Sequence, residues 1–190
     1  MVDRRNGPTS SFPRQGVVVM GVSGSGKSTL GKLLSSELGC PFIEGDELHN
    51  PASVAKMRAG IPLDDQDRWP WLDRLGRALG RSVAQEGLAV CACSALKLAY
   101  RQRLAACAGV PVSFVMLEAP EDELQRRLDR RDHPYMPASL LKSQLDTLER
   151  PGAGERALIL DSSRPPADIC RDIVDWLQET GAAPPLGRQR

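Results

Sequence analysis

No apolar run in this 190-residue chain approaches the length of a bilayer span, and the opening MVDRRNGPTSSFPRQG lacks the hydrophobic stretch of a secretory signal. Net charge is nearly absent: 25 basic against 24 acidic residues leave +1, so no bulk field recommends a nucleic acid or membrane partner. Aromatic residues make up only 4% of the chain and are not interleaved with basic ones, as a stacking platform for bases requires. The five cysteines (Cys40, Cys91, Cys93, Cys107 and Cys170) are odd in number and mostly sit in apolar surroundings, which implies buried, reduced thiols in a cytoplasmic protein. Cys91 and Cys93 form a C-x-C pair, but no second Cys or His pair stands at zinc-site spacing. There is no internal repeat. A chain of this length can bury a core without disulfides or metal, so one domain is expected, with its chemistry in local motifs.

One motif dominates. Gly21 to Ser28 reads GVSGSGKS and fits G-x-x-x-x-G-K-[ST] at every fixed position. It follows the apolar run Val17, Val18, Val19, Met20, which suits a buried parallel strand, and Thr29 and Leu30 continue into a helical pattern. Glycines there allow the positive φ angles with which backbone N–H groups turn inward around phosphate oxygens, and the following helix aims its N-terminal dipole at the same anion. The expected nucleotide site is therefore Gly21, Val22, Ser23, Gly24, Ser25, Gly26, Lys27, Ser28 and Thr29, with Lys27 reaching the β- and γ-phosphates and Ser28 offering its hydroxyl to Mg²⁺. An ordinary Gly/Ser turn would not demand the strand before it and the helix after it.

Along the chain, residues 1–14 are polar and aperiodic and are expected to form a disordered leader. Leu30, Leu33, Leu34 and Leu38 give the first helix one apolar face. Cys40 to Ile43 reads as a second strand running into Glu44–His49. A short helix is expected from Asn50 to Gly60, another from Trp71 to about Glu86, and a buried strand from Leu88 to Cys93. A helix through Tyr100, Leu104 and Cys107, a strand from Val112 to Leu117, and a helix opened by Pro120 and Glu121–Glu123 follow. Residues 127–138 carry a basic run meeting a Pro-rich loop, the expected form of a mobile lid. A helix over Ala138–Glu149, a fifth strand over Ala157–Asp161, a last amphipathic helix and a flexible tail from 182 complete the chain. Strands alternating with helices predict an α/β, three-layer fold with a five-stranded parallel sheet and right-handed crossovers, one domain over 15–181.

A phosphate cradle is shared by GTPases, motor ATPases and kinases, so the other polar clusters must discriminate. The guanine-reading Asn-Lys-x-Asp is missing, and the third strand ends in Cys93-Ser94 rather than in the acid a large ATPase needs. Phosphoryl transfer to an alcohol needs an acceptor for the hydroxyl proton, a metal bridging the phosphates, and cations around the transferring group. If the second strand stays extended, Glu44 and Asp46 share one side, facing the phosphate loop of a neighbouring strand. Asp46 is then the candidate base and Glu44 a carrier of metal-bound water. The alternatives are a helix cap for Asp46 and a solvated acid for Glu44. Arg127 and Arg131, one helical turn apart, can reach the same phosphate side, with a solvated helix end as the competing account. Lys97 and Arg101 share a helix face where they can hold an anion or serve structure.

Together these residues resemble the gluconate kinases of the shikimate-kinase-like branch of P-loop kinases. The likeness is carried by GVSGSGKS, EGDELHN (44–50), GIPLDDQDRWPWL (60–72), CSALKLAYR (93–101) and, more weakly, SQLDTLERPGAGE (143–155). The resemblance implies a nucleoside-monophosphate-kinase-like fold, a homodimer, and ATP- and Mg²⁺-dependent phosphorylation of D-gluconate at its 6-hydroxyl. It assigns the sugar hydroxyl to Asp46 and the substrate side to Asp67 and Arg68, with Arg68 pairing with the carboxylate. Lys97 joins the substrate side, and His49 either contacts substrate hydroxyls or serves as a cap or core residue. Two departures stand out: Glu44 replaces the first acid of the family's D-G-D, and the family's lid histidine aligns with Pro134, which leaves His133 outside the expected site. Shikimate or another small hydroxy acid as acceptor, or a nucleotide-binding regulator without transfer, are the rival readings.

Overall fold

Along β1 (Gln15–Met20) successive side chains alternate between two faces, and both faces are buried. Val17 and Val19 join one apolar cluster, Val18 and Met20 the other, and all four are fully shielded from water. Burial of such side chains stabilises by roughly 1.5–3 kcal/mol each, which fixes β1 as the middle of a three-layer sandwich. The computed structural model describes residues 12–130 and 140–181. The remaining elements are α1 (Lys27–Leu38), β2 (Phe42–Glu44), a 3₁₀ turn (Gly45–Leu48), α2 (Pro51–Arg58), α3 (Asp65–Glu86), β3 (Leu88–Ala92), α4 (Leu98–Ala108), β4 (Val112–Glu118), α5 (Glu121–Asp129), α6 (Leu140–Thr147), β5 (Ala157–Asp161) and α7 (Pro166–Gly181). The sheet is wholly parallel in the order β2-β3-β1-β4-β5. Helices α3 and α4 cover one face, α1 and α7 the other. The expected five-stranded α/β architecture is thus present. Among the described residues no helix is long and apolar enough to cross a membrane, and all five cysteines are free thiols.

Two local differences bear on the site. Strand β2 ends at Glu44, and Asp46 sits in the 3₁₀ turn, so the shared side expected from an extended strand does not apply. Nor is the phosphate loop on a neighbouring strand, because β3 lies between β2 and β1. The turn is enforced at Gly45, where a Cβ would collide with the Ala92 carbonyl. Helix α3 begins at Asp65 rather than near Trp71. Asp64 accepts from the Asp67 N–H while the Asp67 carboxylate accepts from the Asp64 N–H, a reciprocal cap that starts the helix six residues ahead of the sequence expectation and takes Pro70 inside it. Of the expected leader, Phe12 packs against the α1/α7 cluster and Arg14 donates to the Val83 and Ala84 carbonyls. Residues 1–11, the lid from 131 to 138 with Arg131 and His133, and the tail from 182 lie outside the described residues.

Candidate active site

The phosphate loop closes β1 and opens α1. Gly21, Gly24 and Gly26 take φ of +137°, +84° and +91°, angles that a side chain would strain. Within the loop, the Ser25 hydroxyl is buried and makes no hydrogen bond. Lys27 Nζ donates to the loop's own Val22 carbonyl at 2.9 Å. An orphaned hydroxyl and a lysine folded back on its loop fit a cradle shaped for an anion. The loop is held from outside: Gly21 N–H donates to Ser94 O at 3.3 Å, and Ser23 N–H donates to Gln144 Oε1 at 2.7 Å.

Two cavities lie nearby, one connected to the cradle through Gln144 and one lined by the loop itself. One, of about 510 Å³, is lined by Leu63, Asp65 and Arg68, by Leu96, Lys97 and Tyr100, and by Ser143, Gln144 and Thr147. The other, of about 410 Å³, lies by Ser25, Gly26 and Thr29, and is closed by Arg127 and the loop Ser162–Pro166. The wall of the first cavity carries two cations, Arg68 and Lys97, and two carboxylates, Asp64 and Asp65. Arg68 and Lys97 lie over the Tyr100 ring at 5.6 and 5.3 Å, and Arg68 spends only its Nε, on Leu63 O at 3.2 Å. Lys97 Nζ bonds Asp65 Oδ1 at 2.8 Å, and the Tyr100 hydroxyl donates to the same oxygen.

Registers place the carboxyl ends of three strands level, with Val19 beside Ala92 and Ala92 beside Glu44. Glu44 is therefore about 10 Å from β1, two strand spacings away. Just past the end of β3, the buried Cys93 thiol is pushed up to about 12, chiefly by burial, and it feels the charges of Asp46, Lys27 and Arg68. Asp46 follows the carboxyl end of β2 and Lys27 that of β1, while Arg68 in α3 lies over Tyr100, past the carboxyl end of β3. The next residues support them: Ala95 holds φ +42°, a strained angle for a non-glycine residue, and Arg101 fastens its carbonyl at 3.3 Å.

Other expected residues have different employment. Asp67 does not line the cavity: both of its oxygens bond Lys56 Nζ at 2.7 Å, and it completes the α3 cap. His49 stacks on Trp71 at 4.2 Å and lines neither cavity; burial, then the charges of Arg68 and Arg74, lower its pKa to about 4, so it is neutral near pH 7. Arg101 is structural, 1% exposed, with a two-pronged ion pair to Glu155 and a bond to Glu149 O at 3.0 Å. Arg127 lies by the second cavity. Its three nitrogens are engaged, by Glu123 at 2.7 Å and by Ser162 Oγ and O at 3.1 and 3.0 Å, so in this structure it does not reach the acceptor side. Sequence reasoning did not single out Asp65, Tyr100 or Gln144. The only signal for them was their place inside blocks quoted for other residues.

A phosphate loop between a central parallel strand and a helix, with an acid just past the end of β2, defines a P-loop phosphotransferase of the kinase class. The family described as "AAA domain" matches residues 17–151. The chain is 44% identical over 162 residues to the gluconokinase of Gluconobacter oxydans (strain 621H), covering 85% of this chain and 90% of that one. It is 40% identical over 162 residues to the thermosensitive gluconokinase of Escherichia coli (strain K12), covering 83% and 86%. The crystal structure of a gluconokinase from Sinorhizobium meliloti 1021 superimposes with a TM-score of 0.79 at 44% identity, covering 90% and 94%. The chain belongs to the gluconokinase family.

Proposed function

We propose that this protein transfers the γ-phosphoryl group of ATP to the 6-hydroxyl of D-gluconate, giving 6-phospho-D-gluconate. The observation that carries the reading is the phosphate loop, with its unbonded Ser25 hydroxyl, at the carboxyl end of the sheet that also bears Asp46, together with a cavity whose wall holds a guanidinium with both terminal nitrogens unengaged among the described residues. Arg68 takes the carboxylate as a two-pronged partner. The opposite end of the chain then lies toward the phosphate loop, where Asp46 accepts the proton of the attacking hydroxyl. The nucleoside occupies the second cavity, where Arg127 and the Ser162–Pro166 loop form its walls, and the loop amides, the Ser25 hydroxyl and Lys27 hold the phosphates. Lys27 must leave the Val22 carbonyl to do so.

Ser28 and Glu44 offer hard oxygen donors of the kind Mg²⁺ takes when phosphates supply most of its shell, Glu44 through water. Bound there, Mg²⁺ neutralises charge on the phosphate oxygens. The family resemblance carries a cytoplasmic homodimer as well; the mass in solution tests the dimer.

An acceptor panel in a coupled ADP assay tests the assignment. D-gluconate is expected to exceed shikimate and other hydroxy acids in kcat/KM. Equal turnover of shikimate, or ADP release that no acceptor stimulates, would remove the reading. Replacing Asp46 with Asn is expected to lower kcat by about 10²–10⁴-fold with little change in ATP affinity.

A further inference from the structure

One carboxylate in the acceptor cavity has no part in the reading above. Asp65, the first residue of α3, lines that cavity with its side chain 46% exposed. Its Oδ1 accepts from both Lys97 Nζ, at 2.8 Å, and the Tyr100 hydroxyl, while its Oδ2 accepts no hydrogen bond among the described residues. The hydrogen bonds from Lys97 and then Tyr100 hold the carboxyl below the usual carboxylate range, so it is ionised at neutral pH. Two donors on one oxygen fix the rotamer and leave the other oxygen ready-oriented, which lowers the ordering cost of binding. Three residues along the same helix, hence on the same face, stands Arg68 with its open guanidinium fork.

An open acceptor one turn from an open fork is complementary to a carboxylate that carries a hydroxyl close by. We propose that Asp65 is a specificity-determining residue: its Oδ2 accepts a hydrogen bond from a hydroxyl near the carboxylate end of the acceptor while Arg68 holds the carboxylate itself. This rests on the sugar-acid reading and adds to it a reason for rejecting deoxy acids. An analogue lacking the hydroxyl leaves a desolvated carboxylate oxygen without a donor. Of the neighbouring acids, Asp67 is closed by Lys56 and the helix cap, and Asp64, which also lines the cavity, is held as the N-cap by the Asp67 N–H.

The test compares kcat/KM for D-gluconate, 2-deoxy-D-gluconate and 3-deoxy-D-gluconate in the wild type and in Asp65→Ala at saturating ATP. Asp65→Asn is the second variant should the first prove unstable. The wild type is expected to prefer gluconate over at least one deoxy acid by about 10- to 100-fold, the worth of a hydrogen bond to a charged group. In Asp65→Ala that preference is expected to fall below about 3-fold, and in Asp65→Asn to shrink, with the KM for ATP unchanged. A merely structural role would lower activity on all three acids together. Such a parallel loss, or a wild type that treats all three alike, overturns the assignment of Asp65 and leaves the function standing. A wild type inactive on gluconate overturns the function itself, and this inference with it.

Discussion

At Ser23 the backbone N–H of the phosphate loop finds its acceptor in Gln144, 121 residues further on. Gln144 is 6% exposed and the bond is partly buried, so deleting its amide costs about 1–3 kcal/mol. Gln144→Ala is therefore expected to raise the Kd for an ATP analogue about tenfold by calorimetry; an unchanged Kd would show that the loop holds itself. His49 makes a second prediction. Its folded pKa, about 4, lies below the 6.5 ordinary for a histidine, so below pH 6.5 the unfolded chain takes a proton that the folded chain refuses. Its contribution is fully present above pH 6.5 and is lost as pH falls toward 4. In urea titrations the wild type is expected to lose stability across that window, and His49→Phe, which retains a ring over Trp71, to lose less. Parallel curves would contradict this. At this scale the sequence revealed residue types better than their duties. Four acids and amides crowd 64–67; Asp64, Asp65 and Gln66 line the cavity, and Asp67, taken up by the reciprocal cap and by Lys56, does not.

Elements show the same division. The phosphate loop and α1 were legible because glycine spacing, the preceding strand and the apolar helix stripe all agree; α1 spans the expected Lys27–Leu38. The start of α3 was hidden because Pro70 reads as a breaker, whereas the cap at Asp64 outweighs the one amide it removes. The 143–155 block gains its meaning only in three dimensions. Glu149 accepts from Leu98 N–H at 2.7 Å and its own N–H donates to Leu96 O at 2.9 Å, while Glu155 pairs with Arg101, so this segment clamps the strained turn after β3. Replacing Arg101 with Leu orphans Glu155 and frees three carbonyls. A loss of about 3–5 kcal/mol in chemical denaturation is expected, partly recovered by adding Glu155→Leu. A loss under about 1 kcal/mol would show the clamp to be incidental.

Over the whole molecule, strand order does what sequence order conceals. The alternation of strands and helices made a parallel sheet legible, but not that β3 would insert between β1 and β2. That insertion sets the end of β3 beside the phosphate loop, where the Gly21 N–H donates to Ser94 O and the Cys93 N–H to Val19 O. One cleft is lined by Ser25 and Gly26 of the loop, the other by Gln144, which holds Ser23. The proposed binding mode holds the carboxylate at Arg68 and so turns the far end of a six-carbon acid toward phosphorus. The position of the new phosphate ester therefore tests the account most directly. Phosphorus-coupled NMR of the product from ATP and D-gluconate is expected to show a single ester on the terminal CH₂; an ester on any secondary carbon, or none formed, would contradict it.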